Sequence, residues 1–281
     1  MEVMKMKNVI FEKQQTQLFG TKEWSDYSIN CVSGCSHDCK YCYAKSMAIR
    51  FKRHTPENWK YEIINSSILA KGFRKRKEGK IFMFPTSHDI TPSNLSACIR
   101  CLTSLLAPGN EAVVVTKPHY ECIEKLCEVL PMFKNNFIFR FTIGSSNSDT
   151  LRFWEPGAPD FEERLASLKY AYWKGYQTSV SCEPMLDDNV EVVVEWVLPH
   201  VTKTVWIGKP NMLNSRLSLN GHKNKETRDK ADKLLQSLSD QYIGKLYSTY
   251  RDDSRIRWKH SIQKVLRINA SSMAGMGMYG V

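Results

Sequence analysis

The sequence predicts an α/β fold in which six strands of a parallel sheet alternate with helices, two strands short of a complete (β/α) barrel. Short apolar runs recur about every thirty residues, and each is followed by a loop with Pro or Gly and then by an amphipathic helical pattern. Of the 281 residues, 42% are apolar, which is enough to fill the core of a domain of this size.

The elements follow from local composition. Pro118 is expected at the first position of the helix that follows the third strand. Asp160 and Glu163 form a capping-box pair ahead of a later helix, which Gly175 ends. The strands are predicted at positions 27–32, 81–84, 112–116, 137–143, 177–182 and 204–207.

Three regions are predicted along the chain. Residues 1–26 have little periodicity and form an N-terminal arm, and residues 27–211 hold the strands and their crossover helices. Residues 212–281 are expected to form a helical extension packed on the sheet, with a charged helix at 222–240, further helix at 241–267 and a mobile tail at 271–281.

Composition bounds the compartment and the partners. No signal-peptide core and no apolar run of about eighteen residues is present, so we expect a cytoplasmic protein with no membrane partner. Nine Cys, an odd number, favour reduced thiols and metal ligands over disulfides. The net charge of +11 favours a polyanionic partner such as nucleic acid. Basic runs at 50–54, 74–77 and 251–267 lie near aromatic residues; the alternative is that each is a solvated helix face.

The strongest motif is Cys35, Cys39 and Cys42, a C-x3-C-x2-C run that follows the first strand. A 4Fe-4S cluster normally takes four Cys, so three thiols indicate a cluster with one iron open to chemistry. The alternative is a zinc site completed by His37. It is less favoured because zinc patterns place two ligand pairs further apart.

With Tyr41 before the last Cys, this motif resembles that of the radical S-adenosylmethionine (SAM) superfamily. The resemblance implies a partial (β/α)6 barrel that holds a 4Fe-4S cluster and SAM. It also implies an electron supplied by a reducing partner such as flavodoxin or ferredoxin, and cleavage of SAM to a 5'-deoxyadenosyl radical. Several stretches are similar to the branch containing spore photoproduct lyase: 85–92, 113–117, and 154–159 followed by residues 163–165.

The resemblance also implies cofactor-binding residues at the strand ends. Lys117 is the candidate for the SAM carboxylate, because a cation suits an anion. Thr86, Ser87 and Thr142 would bond the ribose or the ammonium group, and Asp89 would orient the turn between 85 and 92.

Two further polar residues are predicted from strand alternation. Arg140 shares a face with Thr142, so it should point inward and meet an anion, which is SAM, a substrate group, Glu155 or Glu183. On the next strand Glu183 is assigned to the cavity and Cys182 to the outer face. Lys209 and Asn211, after the last strand, would complete the rim.

The function predicted from these observations is a radical SAM enzyme acting on a polyanionic substrate such as nucleic acid or a nucleotide. Modification of a peptide side chain and a non-catalytic iron–sulfur sensor are the alternatives. Phe84 and Pro85 stand where the lyase branch has its hydrogen-donating Cys, which argues against dimer repair by the same route. An auxiliary cluster on Cys98, Cys101, Cys122 and Cys127 is less favoured than buried, apolar thiols.

Overall fold

The computed structural model describes residues 20–267. The predicted tail at 271–281 and most of the predicted N-terminal arm lie outside this range. A 3-10 helix at Gly20–Glu23 leads into the first strand.

Seven strands form one sheet with order β1-β4-β5-β6-β7-β8-β9, and every neighbouring pair in it is parallel. The strands of this sheet are β1 (Tyr27–Ser28), β4 (Ile81–Phe84), β5 (Glu111–Thr116), β6 (Phe137–Thr142), β7 (Gln177–Cys182), β8 (Val205–Ile207) and β9 (Ile256–Trp258). A small antiparallel pair consists of β2 (Val32–Ser33) and β3 (Ile63–Ile64). Within residues 20–267, β1 and β9 are the two edges, so the barrel is open.

Helices alternate with the strands along the chain. They are α1 (Tyr43–Arg50), α2 (Ser66–Ala70), α3 (Leu95–Leu106), α4 (Tyr120–Val129), α5 (Ser148–Trp154), α6 (Phe161–Trp173), α7 (Val190–Val197), α8 (Leu213–Leu219), α9 (Lys225–Ser237), α10 (Asp240–Tyr250) and α11 (His260–Leu266). This alternation confirms the predicted α/β class. None of the helices within the described range is long and apolar enough to cross a membrane.

Side chains on the inner face of the sheet fill its amino end and leave its carboxyl end open. Ile81, Val113 and Ile138 form a small buried cluster at the start of the strands. Trp24, from the segment before β1, packs with Met83 and Trp206 in the next layer. The polar strand ends beyond that layer surround a cavity, where parallel-strand folds place their sites.

Three local predictions were wrong. The strand expected at 27–32 is divided, because the chain leaves the main sheet after Ser28 and pairs Val32–Ser33 with Ile63–Ile64. The helix expected at 241–267 is interrupted by β9, which pairs with the open edge of β8. Pro118 precedes α4, whose N-cap is His119 in an extended conformation.

The predicted capping box of α6 is half formed. Asp160 Oδ1 accepts from the Glu163 amide at 2.9 Å. The Glu163 carboxylate does not complete the box, because it accepts from the Tyr120 amide at 2.9 Å and so caps α4. Gly175 follows α6 with φ +73°, a left-handed conformation that favours glycine.

Candidate active site

The carboxyl ends of the strands enclose a cavity of about 490 Å³. All but one of the predicted site residues line it: Cys35, Cys39, Tyr41, Cys42, Thr86, Ser87, Asp89, Lys117, Thr142 and Glu183. The exception is Arg140. We call Cys35, Cys39, Tyr41, Cys42 and Lys117 the cysteine wall, and Glu183, Lys209 and Lys259 the C-terminal wall.

The three Cys of the motif are free thiols on one loop between β2 and α1. Cys35 and Cys39 are buried, Cys42 is half-buried, and Cys42 is also the N-cap of α1. Burial raises the pKa of each thiol, so the thiolates need positive charge to form. Within residues 20–267, no set of three or more His, Cys, Asp or Glu side chains is arranged as a metal site.

Both ring nitrogens of His37 face other side chains. Nδ1 lies 3.1 Å from Asp89 Oδ2, and Nε2 lies 3.0 Å from Nε2 of His119. These contacts occupy both ring nitrogens, which argues against His37 as a fourth zinc ligand.

The segment 154–159 packs directly on the cysteine loop. The Lys40 amide donates to Trp154 O at 2.9 Å, and the Gly157 amide donates to His37 O at 3.0 Å. A Cβ on Gly157 would lie 2.2 Å from Ser36 O, so only glycine permits this approach. The motif that supports the family resemblance therefore has a structural task here, which is to shape the loop that carries the thiols.

Glu155 links that segment to the cavity. Its carboxylate is fully buried, lies 2.6 Å from Arg164 Nη2 and 3.9 Å from Lys117 Nζ, and accepts from the Tyr41 hydroxyl. Burial alone would raise the pKa of Glu155, but Arg164 and Lys117 hold it below its usual value. The carboxylate is thus ionised and positions Tyr41 and Lys117 on the cysteine wall.

Asp89 positions the other side of Lys117. It accepts from the Lys117 amide at 3.1 Å and from the Thr116 hydroxyl, and lies 4.0 Å from Lys117 Nζ. Burial alone would lower the pKa of Lys117, but Cys39, Glu155 and Asp89 raise it. The structure therefore places a permanent cation beside the three thiols.

The turn at Thr86 and Ser87 is held by Asn30. The amides of both residues donate to Asn30 Oδ1 at 2.7 and 2.8 Å, and Tyr43 donates its hydroxyl to Thr86 O. Sequence reasoning did not find Asn30, which lies in the stretch expected to be strand.

The C-terminal wall contains an ion-pair cluster that sequence reasoning missed. Lys259 follows β9, is almost completely buried, and places Nζ 3.1 Å from both Glu183 Oε2 and Glu23 Oε2. The ammonium also lies 4.1 Å from the Trp24 ring centroid. Glu183 faces the cavity and Cys182 packs in the core, as strand alternation predicted.

Arg140 lies beneath the cavity and does not line it. Its side chain is fully buried, Nε donates to Ser179 Oγ at 3.0 Å, and the guanidinium lies 4.6 Å from the Trp24 ring centroid. Arg140 shares the inner face of β6 with Thr142, as predicted. It lies two residues earlier in the strand and therefore deeper below the cavity, where Trp24 and Trp206 pack against its guanidinium. Its assignment to the catalytic site is therefore not supported.

The thiols outside the motif lie among core residues, as expected for buried, apolar cysteines. Cys98 Sγ lies 3.9 Å from Cys31 Sγ, on the loop after β1. Cys122 and Cys127 are buried in α4 within the main core.

Comparisons with known proteins support the fold. A variant of spore photoproduct lyase with dinucleoside spore photoproduct superposes with a TM-score of 0.52 at 16% identity, covering 74% of this chain and 64% of the lyase. A second variant, with bound AdoMet and the same dinucleoside, also gives 0.52 at 16% identity, covering 75% and 66%. The chain shares the fold of this radical SAM lyase. At this identity the likeness concerns the fold alone.

Two curated relatives match by sequence. An uncharacterised protein of Methanocaldococcus jannaschii is 25% identical over 180 residues, which is 59% of this chain and 62% of that protein. An uncharacterised protein of Acidianus two-tailed virus is 24% identical over 179 residues, which is 60% of this chain and 59% of that protein. The chain thus spans about three fifths of the length of these relatives. No protein-family model matches it.

Proposed function

We propose that this protein is a radical SAM enzyme that acts on an anionic substrate. The observation that carries the proposal is the convergence of the C-x3-C-x2-C thiols, Lys117, Asp89 and Thr142 on one cavity at the strand ends. That cavity lies in a fold shared with a radical SAM lyase. A polyanion such as nucleic acid, or a nucleotide, is the substrate class we favour.

The residues present fit a 4Fe-4S cluster and SAM. Cys35, Cys39 and Cys42, which are free thiols lining the cavity, would hold the cluster. When bound, the cluster supplies the electron that cleaves SAM, and an external carrier such as flavodoxin or ferredoxin would deliver it. Lys117 would bind the SAM carboxylate through a charge-assisted hydrogen bond.

The chain's own residues prepare this site before any ligand binds. Glu155 and Asp89 hold Lys117 from two sides, which reduces the entropy lost when it binds an anion. Asn30 fixes Thr86 and Ser87 through their amides and donates its Nδ2 to the Thr86 hydroxyl at 2.7 Å. This network orients both residues beside the cavity, where they would meet the ribose or ammonium group of SAM.

The charge of the cavity favours an anionic substrate. Among the described residues that line it, Lys22, Lys117, Lys209, Arg216 and Lys259 are cationic, whereas Asp89 and Glu183 are acidic. Trp24, Tyr43 and Trp59 add aromatic surface. Cations mixed with aromatic rings suit a nucleotide better than a neutral peptide.

Anaerobic reconstitution with iron and sulfide tests the cofactor assignment. We expect about four irons per chain, visible charge-transfer absorption, and 5'-deoxyadenosine when dithionite and SAM are added. Cys35→Ala, Cys39→Ala and Cys42→Ala should each lose the absorption but remain folded. Cys127→Ala, a buried thiol outside the cavity, is the matched control and should keep it.

Three outcomes would contradict the proposal or change its substrate class. Full iron retention in any of the three variants would show that the ligands are misassigned. A loaded wild-type protein that forms no 5'-deoxyadenosine would indicate a sensor. If a peptide stimulated SAM cleavage and oligonucleotides did not, the substrate would be a peptide and not a nucleic acid.

A further inference from the structure

A strongly basic segment lies beside the edge strand β1. Residues 71–77, Lys-Gly-Phe-Arg-Lys-Arg-Lys, contain five cations in seven positions, form neither helix nor strand, and expose all five cationic side chains. Together with β1 and the end of α2, this segment lines a groove of about 520 Å³. Lys71, Arg74 and Arg76 are among the residues that line it.

The groove is separate from the candidate active site. The two share no lining residue within the described part of the chain. Phe82 lines the groove and Met83 lines the cavity, and consecutive strand residues point to opposite faces of a sheet. The groove therefore lies on the outer side of the sheet edge.

The backbone of the basic segment is held in place by a buried amide. Asn110, which precedes β5, is 3% exposed. Its Oδ1 accepts from the Arg76 amide at 2.8 Å, and its Nδ2 donates to Arg74 O at 3.1 Å and to Leu105 O at 3.0 Å. All these bonds join Asn110 to backbone atoms, so they fix the segment without using the guanidinium groups of Arg74 and Arg76.

The chemistry of the groove matches a phosphate backbone with bases. The Arg76 guanidinium stacks over the Tyr27 ring at 4.9 Å, which holds its planar face and leaves its N–H edge available. Phe73 and Tyr27 are half-buried aromatic walls of the groove. Asp26, a nearby acid, is paired with Lys80 at 3.0 Å. A dense set of cations beside aromatic rings is the pattern of single-strand nucleic-acid sites.

We propose that the groove formed by β1 and residues 71–77 binds the backbone of single-stranded nucleic acid, as a surface distinct from the cavity. Arg74, Arg76 and Lys71 contact phosphates, Phe73 contacts a base, and Asn110 pre-organises the segment. This proposal does not rest on the proposed function, because it requires neither a cluster nor SAM.

The test uses the full chain and a fluorescent thymidine oligonucleotide of about 20 nucleotides, followed by anisotropy between about 50 and 200 mM salt. The variant Lys71→Ala/Arg74→Ala/Arg76→Ala should bind about tenfold more weakly. Its salt slope should fall by about 2, since each phosphate contact contributes about 0.7 for single strands. The matched control is Lys225→Ala/Arg228→Ala/Lys233→Ala, which removes three exposed cations from α9 and should change affinity less than about twofold.

A second variant separates a built groove from a simple patch of charge. Asn110→Ala keeps every cation but releases the segment, so affinity should fall by about threefold with an unchanged salt slope; a thermal melt confirms that the chain remains folded. Equal losses in the two triple variants, or no effect of Asn110→Ala in a folded protein, would overturn the proposal. Tighter binding of a duplex of the same length would overturn the assignment to single strands. Iron loading and SAM cleavage, measured on the same variants, should be unchanged.

Discussion

The cysteine wall and the C-terminal wall face one cavity but are assembled in different ways. On the cysteine wall the thiols come from one loop of eight residues, 35–42, and their support comes from a second short motif at 154–164, with 114 positions separating Tyr41 from its partner Glu155. On the C-terminal wall, Lys259 joins Glu183 to Glu23, which are separated by most of the described chain. The first wall can be recognised from short motifs, whereas the second exists only after the sheet has formed.

The buried carboxylates that support the two walls also differ in how fully cations compensate their charge. Glu155 is fully buried beside a fully buried Arg164. The pKa of Glu155 is lowered because the positive charges of Arg164 and Lys117 outweigh the effect of burial, which would raise it. The pKa of Glu23 is raised, because burial and the neighbouring Glu183 outweigh Lys259. One cation shared by two carboxylates leaves the C-terminal wall less fully compensated.

The largest expected effect is on the cysteine wall. Arg164→Ala would leave the carboxylate of Glu155 buried with Lys117, 3.9 Å away, as its remaining ion-pair partner, so we expect a loss of about 3–5 kcal/mol in the free energy of unfolding, measured by urea denaturation. Arg152→Ala removes an arginine from an exposed ion pair with Asp149 and should cost less than about 1 kcal/mol. Equal effects of the two substitutions would show that Glu155 does not depend on Arg164.

A smaller loss is expected on the C-terminal wall. Lys259→Ala would leave Glu23 and Glu183 facing each other, but Glu183 keeps 27% side-chain exposure, so water limits the cost to about 2–3 kcal/mol. The double variant Lys259→Ala/Glu23→Gln should recover part of that loss in the same urea experiment. Lys245→Ala, at an exposed position, is the control. A double variant less stable than Lys259→Ala would contradict this account.

A substitution in the C-terminal wall should reduce catalysis even when the protein keeps its fold and its cluster. Glu183→Gln keeps the size of the side chain and should keep the cluster, but it removes the charge that faces the cavity. We expect 5'-deoxyadenosine formation or substrate turnover to fall at least about tenfold, which corresponds to about 1.4 kcal/mol. Wild-type rates in a variant with full iron content would remove Glu183 from the mechanism.

The smallest expected effect is on the stability of the protein at acid pH. Glu62 accepts from the amide and hydroxyl of Ser36 and from Thr91, Ser93 and Asn94. Burial alone would raise its pKa, but these hydrogen bonds lower it below 4.5. Its contribution to stability is therefore present above about pH 4.5 and is lost as the pH falls through the pKa of the folded state.

Glu62→Gln should accordingly reduce the loss of unfolding free energy between neutral and acid pH by about 1 kcal/mol, measured as urea midpoints across that range. Glu128→Gln, from an exposed ion pair with Lys125, should follow the wild-type curve. A steeper acid loss in Glu62→Gln would reverse the sign that we assign.

Strands β5 and β6, at the centre of the sheet, were predictable because most of their residues are apolar. β6 is buried at every position, and no polar residue other than Arg140 and Thr142 interrupts it. The edge strands were harder to place: of the strand predicted at 27–32, only Tyr27–Ser28 joins the sheet, and β9, with three residues, was not predicted. Their neighbours in the sheet, which are distant in sequence, make them strands.

The sequence by itself determined the α/β class, the thiol loop and the polar strand ends, because each depends on residues close together in the chain. Alternation alone placed Glu183 inward, since successive strand residues must point to opposite faces. The tertiary structure decided the depth of Arg140 and the pairing of Lys259 with Glu183 and Glu23. It also decided the role of Asn30 in the turn at Thr86. Those outcomes depend on which strands become neighbours and on what fills the layer between them, and a buried charge is stabilised by whichever partner the completed fold brings within reach.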